Sequence, residues 1–302
     1  NIFASMVSKT SSSSLNSYID CPLQFYLTQV ERIKEPEEVL ETIEANMFGT
    51  LLHSVMEFLY QPWVGKLVQE NDIEDILNHP LHIERMITAA FSEKYFKKGK
   101  DADVKLEGSY LLTARVIRKY VRQILQVDKA YAPFRYIQSE ERCALSFPIY
   151  DGKMAVNLKG FIDRVDEKEG TIRILDYKSG SGDLVFKGLT EVFEHNLDKR
   201  PKFVLQTFLY SILYRDKTDG KPIIPGIFYI KNVFKKDFTT ELIYKPEKSV
   251  TEIVTDFSPF EEEFREKLTA CLEEIFNPEI PFAQCTNTKP CEYCPYRIIC
   301  RR

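Results

Sequence analysis

The segment GFIDRVDEKEGTIRILDYKSG, residues 160–180, has the clearest pattern of a β-hairpin in the chain. Residues 153–165 and 171–177 have the alternation and apolar content of strands. The charged run 166–170 between them ends in a glycine and has the composition of a turn. We therefore expect an antiparallel hairpin whose second strand is apolar and ends in charged residues.

The polar residues of this hairpin form a pattern with chemical meaning. Asp176 and Lys178 are two residues apart, so they point to the same face of an extended strand. Asp163 is expected near the end of the preceding strand, where a tight hairpin brings it alongside them. Two carboxylates beside a lysine make an oxygen-rich site suited to Mg²⁺ or Mn²⁺, and the lysine can orient water or stabilise charge on a phosphate. Alone, Asp-x-Lys is also common on surface hairpins.

Outside this hairpin, the pattern of the chain predicts one domain spanning residues 1–302. Its parts are a helical region at about 11–130, a sheet core at about 140–245, and a helix with a cysteine-rich tail at about 258–302. Helices are predicted over 47–60, 200–215 and 258–276, and further strands over 143–150, 223–230 and 238–244. The fold class is therefore α/β, with a central mixed sheet flanked by helices and an N-terminal helical insertion.

Composition excludes several classes of protein. The net charge of −4 gives no overall positive field, so contacts with nucleic acid must come from local basic patches such as Lys231, Lys235 and Lys236. No run of about 18 apolar residues and no signal-peptide pattern occur, so we expect no membrane span and a cytoplasmic protein. Seven cysteines, an odd count, argue against a disulfide framework and for metal ligation in a reducing compartment.

The hairpin residues resemble a known family. Asp163, Asp176 and Lys178 match the core of the PD-(D/E)XK nucleases, and GFIDRVD followed by DYKSG is the form found in RecB-type and AddB-type exonucleases and in CRISPR-associated relatives. The resemblance extends over nearly the whole chain, and it implies a restriction-endonuclease-like core. It also implies that Asp163 and Asp176 bind Mg²⁺ or Mn²⁺ and that both act in catalysis together with Lys178.

Two further motifs of the family occur in the expected order. His53, in FGTLLHSVMEF, matches a histidine on an upstream helix that contributes to the metal site. Gln206 and Tyr210, in LQTFLYSILY, match the glutamine–tyrosine motif on the helix after the lysine strand, and their spacing of four places them on one helix face. The resemblance therefore implies that His53 is a metal ligand and that Gln206 and Tyr210 belong to the catalytic site.

Some positions keep more than one interpretation. A histidine on an amphipathic helix is often structural, and the imidazole of His53 suits Mn²⁺ better than Mg²⁺. Glu57 lies one turn later and can either share the face of His53 or face solvent. Glu141 matches an acidic residue that the family often has before the first strand, and Glu140 is an equally good candidate.

The cysteines suggest a second metal site. Cys291-x2-Cys294-x5-Cys300 has the spacing of soft-metal ligands and leaves one position to fill. Cys285 would complete a local zinc knuckle, whereas Cys21, in YIDCPLQFYL, would join the two ends of the chain. Similarity to AddB-type nucleases implies the second arrangement: Cys21, Cys291, Cys294 and Cys300 around a [4Fe–4S] cluster, with zinc as the alternative metal. Cys285 would then remain a thiol, as would two cysteines of the core, Cys143 and Cys271.

Taken together, the motifs predict hydrolysis of DNA phosphodiester bonds by an exonuclease. The resemblance further implies a helicase-like region upstream in the same chain, an AddA-type helicase partner, and a role in recombinational double-strand-break repair. A chain that begins at Asn1 is consistent with such a C-terminal part of a longer protein. The alternatives are a catalytically inactive DNA-binding module with the same fold and a zinc-binding interaction domain.

Overall fold

The centre of the molecule is a mixed β-sheet. The computed structural model describes residues 10–33 and 44–302. The strands in this part of the chain are β1 (Thr10–Ser11), β2 (Lys66–Val68), β3 (Phe134–Ile149), β4 (Met154–Lys168), β5 (Thr171–Lys178), β6 (Val185–Phe186), β7 (Ile223–Tyr229), β8 (Ile243–Tyr244) and β9 (Glu252–Ile253). The central sheet has the order β2-β3-β4-β5-β7, with β1 paired to β4, and β6, β8 and β9 form a small second sheet.

The pairing of the strands makes the central sheet mixed. β3, β4 and β5 are successive antiparallel neighbours, whereas β7 is parallel to β5 and β1 is parallel to β4. Parallel strands end at the same edge of a sheet, so Lys178 at the end of β5 lies opposite Tyr229 at the end of β7. The predicted fold class is confirmed.

Helices flank both faces of this sheet. They are α1 (Ser12–Asp20), α2 (Pro22–Phe25), α3 (Ala45–Tyr60), α4 (Glu70–Asn78), α5 (Pro80–Ala90), α6 (Gly108–Tyr131), α7 (Leu189–Phe193), α8 (Lys202–Tyr214) and α9 (Ser258–Phe276). Short π or 3₁₀ turns cover Tyr26–Val30, Gln61–Trp63, Phe91–Tyr95, Arg215–Lys217, Ile230–Asn232 and Lys289–Tyr293. None of the helices in the described part of the chain has both the length and the apolar character needed to cross a bilayer.

Two hydrophobic clusters hold the helices against the sheet. Ile172 and Ile174 of β5 pack in one cluster with α1, α8 and α9, whereas Tyr177 of the same strand packs in the other with α3 to α6. Alternate side chains of a strand point to opposite faces, which is why one strand serves both clusters. Asp176 lies two residues after Ile174, so its side chain points to the same face of the sheet as the isoleucines, toward α8.

Several predicted boundaries need correction. The hairpin turn is shorter than predicted because β4 continues to Lys168, so Asp163 lies inside the strand rather than near its end. The first long strand begins at Phe134, not at residue 143. The prediction missed its first half because charged residues in the middle of the strand interrupt the alternation of apolar and polar side chains. The strand predicted over 238–244 is wrong except for Ile243–Tyr244. The helix predicted over 258–276 is confirmed. The segment 30–46, which is charged and is expected from the sequence to be a loop or a loose helix, lies mostly outside the described residues.

Candidate metal centre and cysteine site

The end of β5 and one face of α8 form a closed hydrogen-bond network. The Lys178 ammonium lies 2.6 Å from Oδ2 of Asp176 and donates to Oε1 of Gln206 at 3.0 Å. Nε2 of Gln206 donates to Oδ1 of Asp176 at 2.9 Å and contacts the Tyr210 hydroxyl at 2.6 Å. Gln206 and Tyr210 reach the strand together because residues four apart share one face of a helix. The helix therefore fixes the position of both the acid and the lysine.

A second group contacts the main chain of Tyr177, the residue after Asp176 on β5. Oδ2 of Asp163 accepts from the main-chain N–H of Tyr177 at 2.7 Å, and Nε2 of His53 on α3 donates to the carbonyl of Tyr177 at 3.1 Å. The other ring nitrogen, Nδ1 of His53, lies 3.5 Å from Oδ1 of Asp163 and 4.0 Å from Oε1 of Glu140. The three potential ligand atoms of His53, Glu140 and Asp163 all lie within 4.8 Å of one another.

Electrostatics shows that negative charge is crowded here. Burial and then the nearby Asp163 carboxylate raise the pKa of Asp176 to about 7. The same two causes raise the pKa of Glu140 to about 7. Burial lowers the pKa of His53, but the carboxylates of Asp163, Asp176 and Glu140 outweigh burial and raise it to about 9. The crowded carboxylates raise these pKa values because bound protons reduce their mutual repulsion, and a bound cation would reduce it in the same way.

Asp176 adds a buried carboxylate next to this group. Its Oδ2 is ion-paired with the Lys178 ammonium at 2.6 Å, and it lies outside the group of three ligand atoms that are within 4.8 Å of one another. Carboxylate oxygens and an imidazole nitrogen are a donor set suited to Mg²⁺ or Mn²⁺, with the imidazole favouring Mn²⁺. The residues present therefore fit a divalent cation.

Glu57 and Glu141, the two acidic residues with more than one interpretation, lie in different positions relative to the candidate metal centre. Glu57 lies close enough to affect the pKa values of Glu140 and Lys94, but it is outside the group of three ligand atoms. Glu141 forms an ion pair with Lys217 and does not face the site. Glu140 takes that position instead, with a φ of 50° that interrupts the alternation of β3. Strand periodicity alone could not reveal this interruption.

Sequence reasoning missed the buried ion network behind the site. The fully buried Arg164 donates through Nη1 to both oxygens of Asp128 and to the hydroxyl of Tyr177, and through Nε to Asp166. Asp166 also accepts two bonds from Arg173. The network therefore ties helix α6 to β4 and β5 directly beneath the candidate ligands. The signal in the sequence was a charged Arg-x-Asp run inside an otherwise apolar strand.

Gly160, the first residue of GFIDRVD, has a steric role that sequence reasoning also missed. A Cβ atom at this position would lie 2.7 Å from Cε1 of Tyr210 and 2.9 Å from Cδ1 of Leu213. Glycine therefore lets α8 approach β4 closely enough for Gln206 and Tyr210 to reach the end of β5.

Five cysteines line one small cavity at the ends of the chain: Cys21, Cys285, Cys291, Cys294 and Cys300. The two segments meet through a hydrogen bond from the main-chain N–H of Leu23 to the carbonyl of Ala283, at 3.0 Å. Cys285, predicted to remain a separate thiol, contacts the other thiols. Burial and then the neighbouring thiols of Cys21 and Cys291 raise its pKa to about 12.

The remaining two cysteines lie elsewhere. Cys143 and Cys271 are buried in the hydrophobic cluster around α8 and α9, as expected. Neither lines the cavity that the other five share, and both serve as small apolar groups of the core.

Comparison with known proteins identifies the family. The family model of the PD-(D/E)XK nuclease superfamily matches residues 9–301. The chain belongs to the PD-(D/E)XK nuclease superfamily. It is 26% identical to a protein of Clostridium acetobutylicum that is named as an ATP-dependent helicase/deoxyribonuclease subunit, over 97% of this chain and 30% of that protein. The proteins of the same name from Carboxydothermus hydrogenoformans and Natranaerobius thermophilus are 28% and 27% identical over 74% and 72% of this chain.

These relatives are much longer than the chain. The chain spans less than a third of the length of each of the three curated relatives, 30%, 20% and 18% respectively. Among solved structures, the crystal structure of SSO0001 aligns with 95% of this chain and 94% of its own, at 14% identity and a TM-score of 0.30. That TM-score is too low to support a conclusion about the fold.

Proposed function

We propose that the chain is a divalent-metal-dependent deoxyribonuclease that hydrolyses phosphodiester bonds, acting as an exonuclease. The observation that carries the proposal is the convergence of His53 and Asp163 with Asp176 and Lys178 around the end of β5. Membership of a nuclease superfamily and the deoxyribonuclease names of the relatives support it.

In this proposal His53, Asp163 and Asp176 hold the metal, with Glu140 beside them. A bound divalent cation supplies a water of lowered pKa as nucleophile and neutralises charge on the phosphate. Lys178 directs its ammonium toward the phosphate or the attacking water, where it stabilises developing negative charge. Gln206 holds Lys178 and Asp176 in place, because its side-chain oxygen accepts a hydrogen bond from Lys178 and its side-chain nitrogen donates one to Asp176.

Tyr210 is the outermost member of this set. Its hydroxyl lies 2.6 Å from Nε2 of Gln206, so it fixes the orientation of the amide that the other residues depend on. It acts by positioning, because its hydrogen bond reaches Gln206 rather than the candidate ligands or the lysine.

Digestion of end-labelled DNA tests the proposal. Wild-type protein should release nucleotides from single-stranded or duplex DNA with Mg²⁺ or Mn²⁺ and none with EDTA. Asp176→Asn should abolish cleavage, because the amide cannot replace an anionic ligand. Asp219→Asn is the matched control, since this aspartate lies exposed in a turn with a φ of 51° that asparagine also adopts. Cleavage that persists in EDTA or in Asp176→Asn would refute the proposal.

We also propose that the cysteine cavity holds a [4Fe–4S] cluster ligated by Cys21, Cys291, Cys294 and Cys300, with zinc as the alternative. The arrangement of these thiols around one cavity supports it. Protein purified without oxygen should contain iron and inorganic sulfide and absorb visible light. Colourless protein that contains zinc would favour the alternative. Because Cys285 lines the same cavity, Cys285→Ser should be compared with Cys21→Ser to decide which four thiols are ligands.

The relatives suggest a larger assembly. Each is named as one subunit of an ATP-dependent helicase/deoxyribonuclease, so we propose that this chain works with a helicase-like region of its own protein and an AddA-type helicase partner in break repair. Co-purification of the chain with such a helicase tests this directly, and two proteins that elute separately at micromolar concentration would contradict it.

A further inference from the structure

One face of the β3–β4 hairpin is open to solvent beside the candidate metal centre. Its side chains come from alternate residues of the two strands, which pair as Arg142 with Phe161, Ala144 with Lys159, Ser146 with Asn157 and Pro148 with Ala155. All eight are exposed, whereas the residues between them, such as Val156 and Leu158, are buried in the core. We call these eight residues the hairpin face.

The charge of the hairpin face differs from that of the chain. The whole sequence has 45 acidic and 41 basic residues. The hairpin face has two cations, Arg142 and Lys159, and no acidic residue among its eight members. The other side chains are small or neutral, so a flat, negatively charged ligand can lie against the strands without repulsion.

An aromatic ring occupies the end of the hairpin face nearest the metal centre. Phe161 is 50% exposed, and the guanidinium of Arg142 lies 5.1 Å from its ring centroid. A large apolar ring held at a sheet surface beside a cation is the arrangement on which unpaired bases stack in single-strand-binding proteins.

The hairpin face leads directly into the candidate metal centre. Phe161 is two residues before Asp163 on β4, and Arg142 is two residues after Glu140 on β3. At a rise of about 3.3 Å per residue, Phe161 lies about 7 Å along the strand from Asp163. A strand of DNA whose phosphate lies at the metal centre would therefore have its neighbouring nucleotides over the hairpin face.

We infer that the hairpin face binds the single-stranded DNA segment next to the phosphate that is cleaved. Phe161 stacks on an unpaired base, and Arg142 and Lys159 contact backbone phosphates. Duplex DNA hides the faces of its bases within the helix, so this surface selects the single strand. The inference rests on the proposed nuclease function and assigns the route by which its substrate reaches the site.

Binding measured without cleavage tests the inference. A short fluorescein-labelled oligothymidylate is titrated in EDTA and followed by fluorescence anisotropy. Phe161→Ala should weaken binding about tenfold, since stacking on one aromatic ring contributes on that order. Phe161→Trp should retain binding, because it keeps a stacking surface. Lys159→Ala should lower the dependence of log K on log salt by about one unit, as expected for one lost phosphate contact.

Phe234 provides a matched control. It is 48% exposed, and the Lys119 ammonium lies 5.0 Å from its ring centroid, but it packs near Tyr120 of α6 rather than on the hairpin. Phe234→Ala should lose much less affinity for the oligonucleotide than Phe161→Ala, although Lys235 and Lys236 follow Phe234 in the chain. Normal binding by Phe161→Ala would overturn the inference, and so would an equal loss in Phe234→Ala. An equal loss of affinity for a blunt duplex would overturn the selection for single strands.

The assay also separates this inference from the nuclease proposal. Binding is measured in EDTA, so the affinity for the oligonucleotide is obtained independently of cleavage. If Phe161→Ala loses binding while wild type cleaves nothing with any metal, the hairpin face stands and the nuclease proposal fails. If wild type cleaves and Phe161→Ala binds normally, the nuclease proposal stands and the inference about the hairpin face fails.

Discussion

The candidate metal centre and the cysteine site are supported by the chain in different ways. The residues of the metal centre are carried by α3, β4, β5 and α8, all of which have buried faces in the two hydrophobic clusters. The cysteine site depends on residues 285–302, where Tyr293 and Ile298 are 91% and 82% exposed and a single 3₁₀ turn is described. The first site is therefore built by packed helices and strands, whereas we propose that the second is held together by the cluster or metal that its thiols bind.

The largest expected effect follows from this difference. Cys21→Ser should lower the free energy of unfolding of anaerobically purified protein by about 5 kcal/mol, because the cluster that we propose would close a loop of roughly 270 residues. Urea unfolding measures it. Cys143→Ala removes a buried sulfur that does not link distant parts of the chain, so it should lower the free energy of unfolding by about 1 kcal/mol. Equal midpoints for Cys21→Ser and wild type would show that the two ends of the chain are not joined through the site.

The ion network beneath the metal centre should give the next largest effect. Arg164→Met should cost about 3–5 kcal/mol in unfolding free energy, because it leaves the carboxylates of Asp128 and Asp166 buried with fewer partners. Arg135→Met is the control, because this arginine is exposed and donates a hydrogen bond to the carbonyl of Gly65. The loss should be the same with and without metal. A loss that appears only in the presence of metal would show that the metal centre, like the cysteine site, depends on its ligand.

A smaller effect, seen in activity rather than in stability, is expected at Lys178. Lys178→Ala should lower kcat on single-stranded DNA by about 100-fold, as the loss of one preorganised charge at the phosphate does. Lys199→Ala, an exposed lysine before α8, should leave kcat unchanged. The circular dichroism spectrum of Lys178→Ala should match that of wild type. An unaltered kcat would remove Lys178 from the mechanism.

Local patterns predicted the parts of this structure that depend on local forces. The spacing of apolar residues predicted α3, α8 and α9, and the motif around Asp176 predicted β5. These predictions are possible because helices and strands have characteristic periods in the sequence. The shape of β3 was not predictable in this way. Glu140 turns toward His53 through a left-handed residue, and only the packed tertiary structure shows that interruption.

Long-range contacts were accessible only where a family resemblance supplied them. Spacing could not choose between Cys21 and Cys285 as the fourth ligand, and the structure brings both into one cavity. The network of Arg164, Asp128 and Asp166 joins residues up to 38 positions apart, between Asp128 and Asp166, and no periodicity connects them. Such ion pairs are determined by which charged side chains come into contact when the sheet and helices pack.

We propose that His53, Asp163 and Asp176 hold a divalent cation at the end of β5. The most direct test is a crystal soaked in Mn²⁺, with the metal located by its anomalous scattering. A peak in contact with the carboxylates of Asp163 and Asp176 and with Nδ1 of His53 is expected, and it should vanish in crystals of Asp163→Asn. A peak elsewhere, or Mn²⁺ that still binds between these residues in Asp163→Asn, would contradict the account.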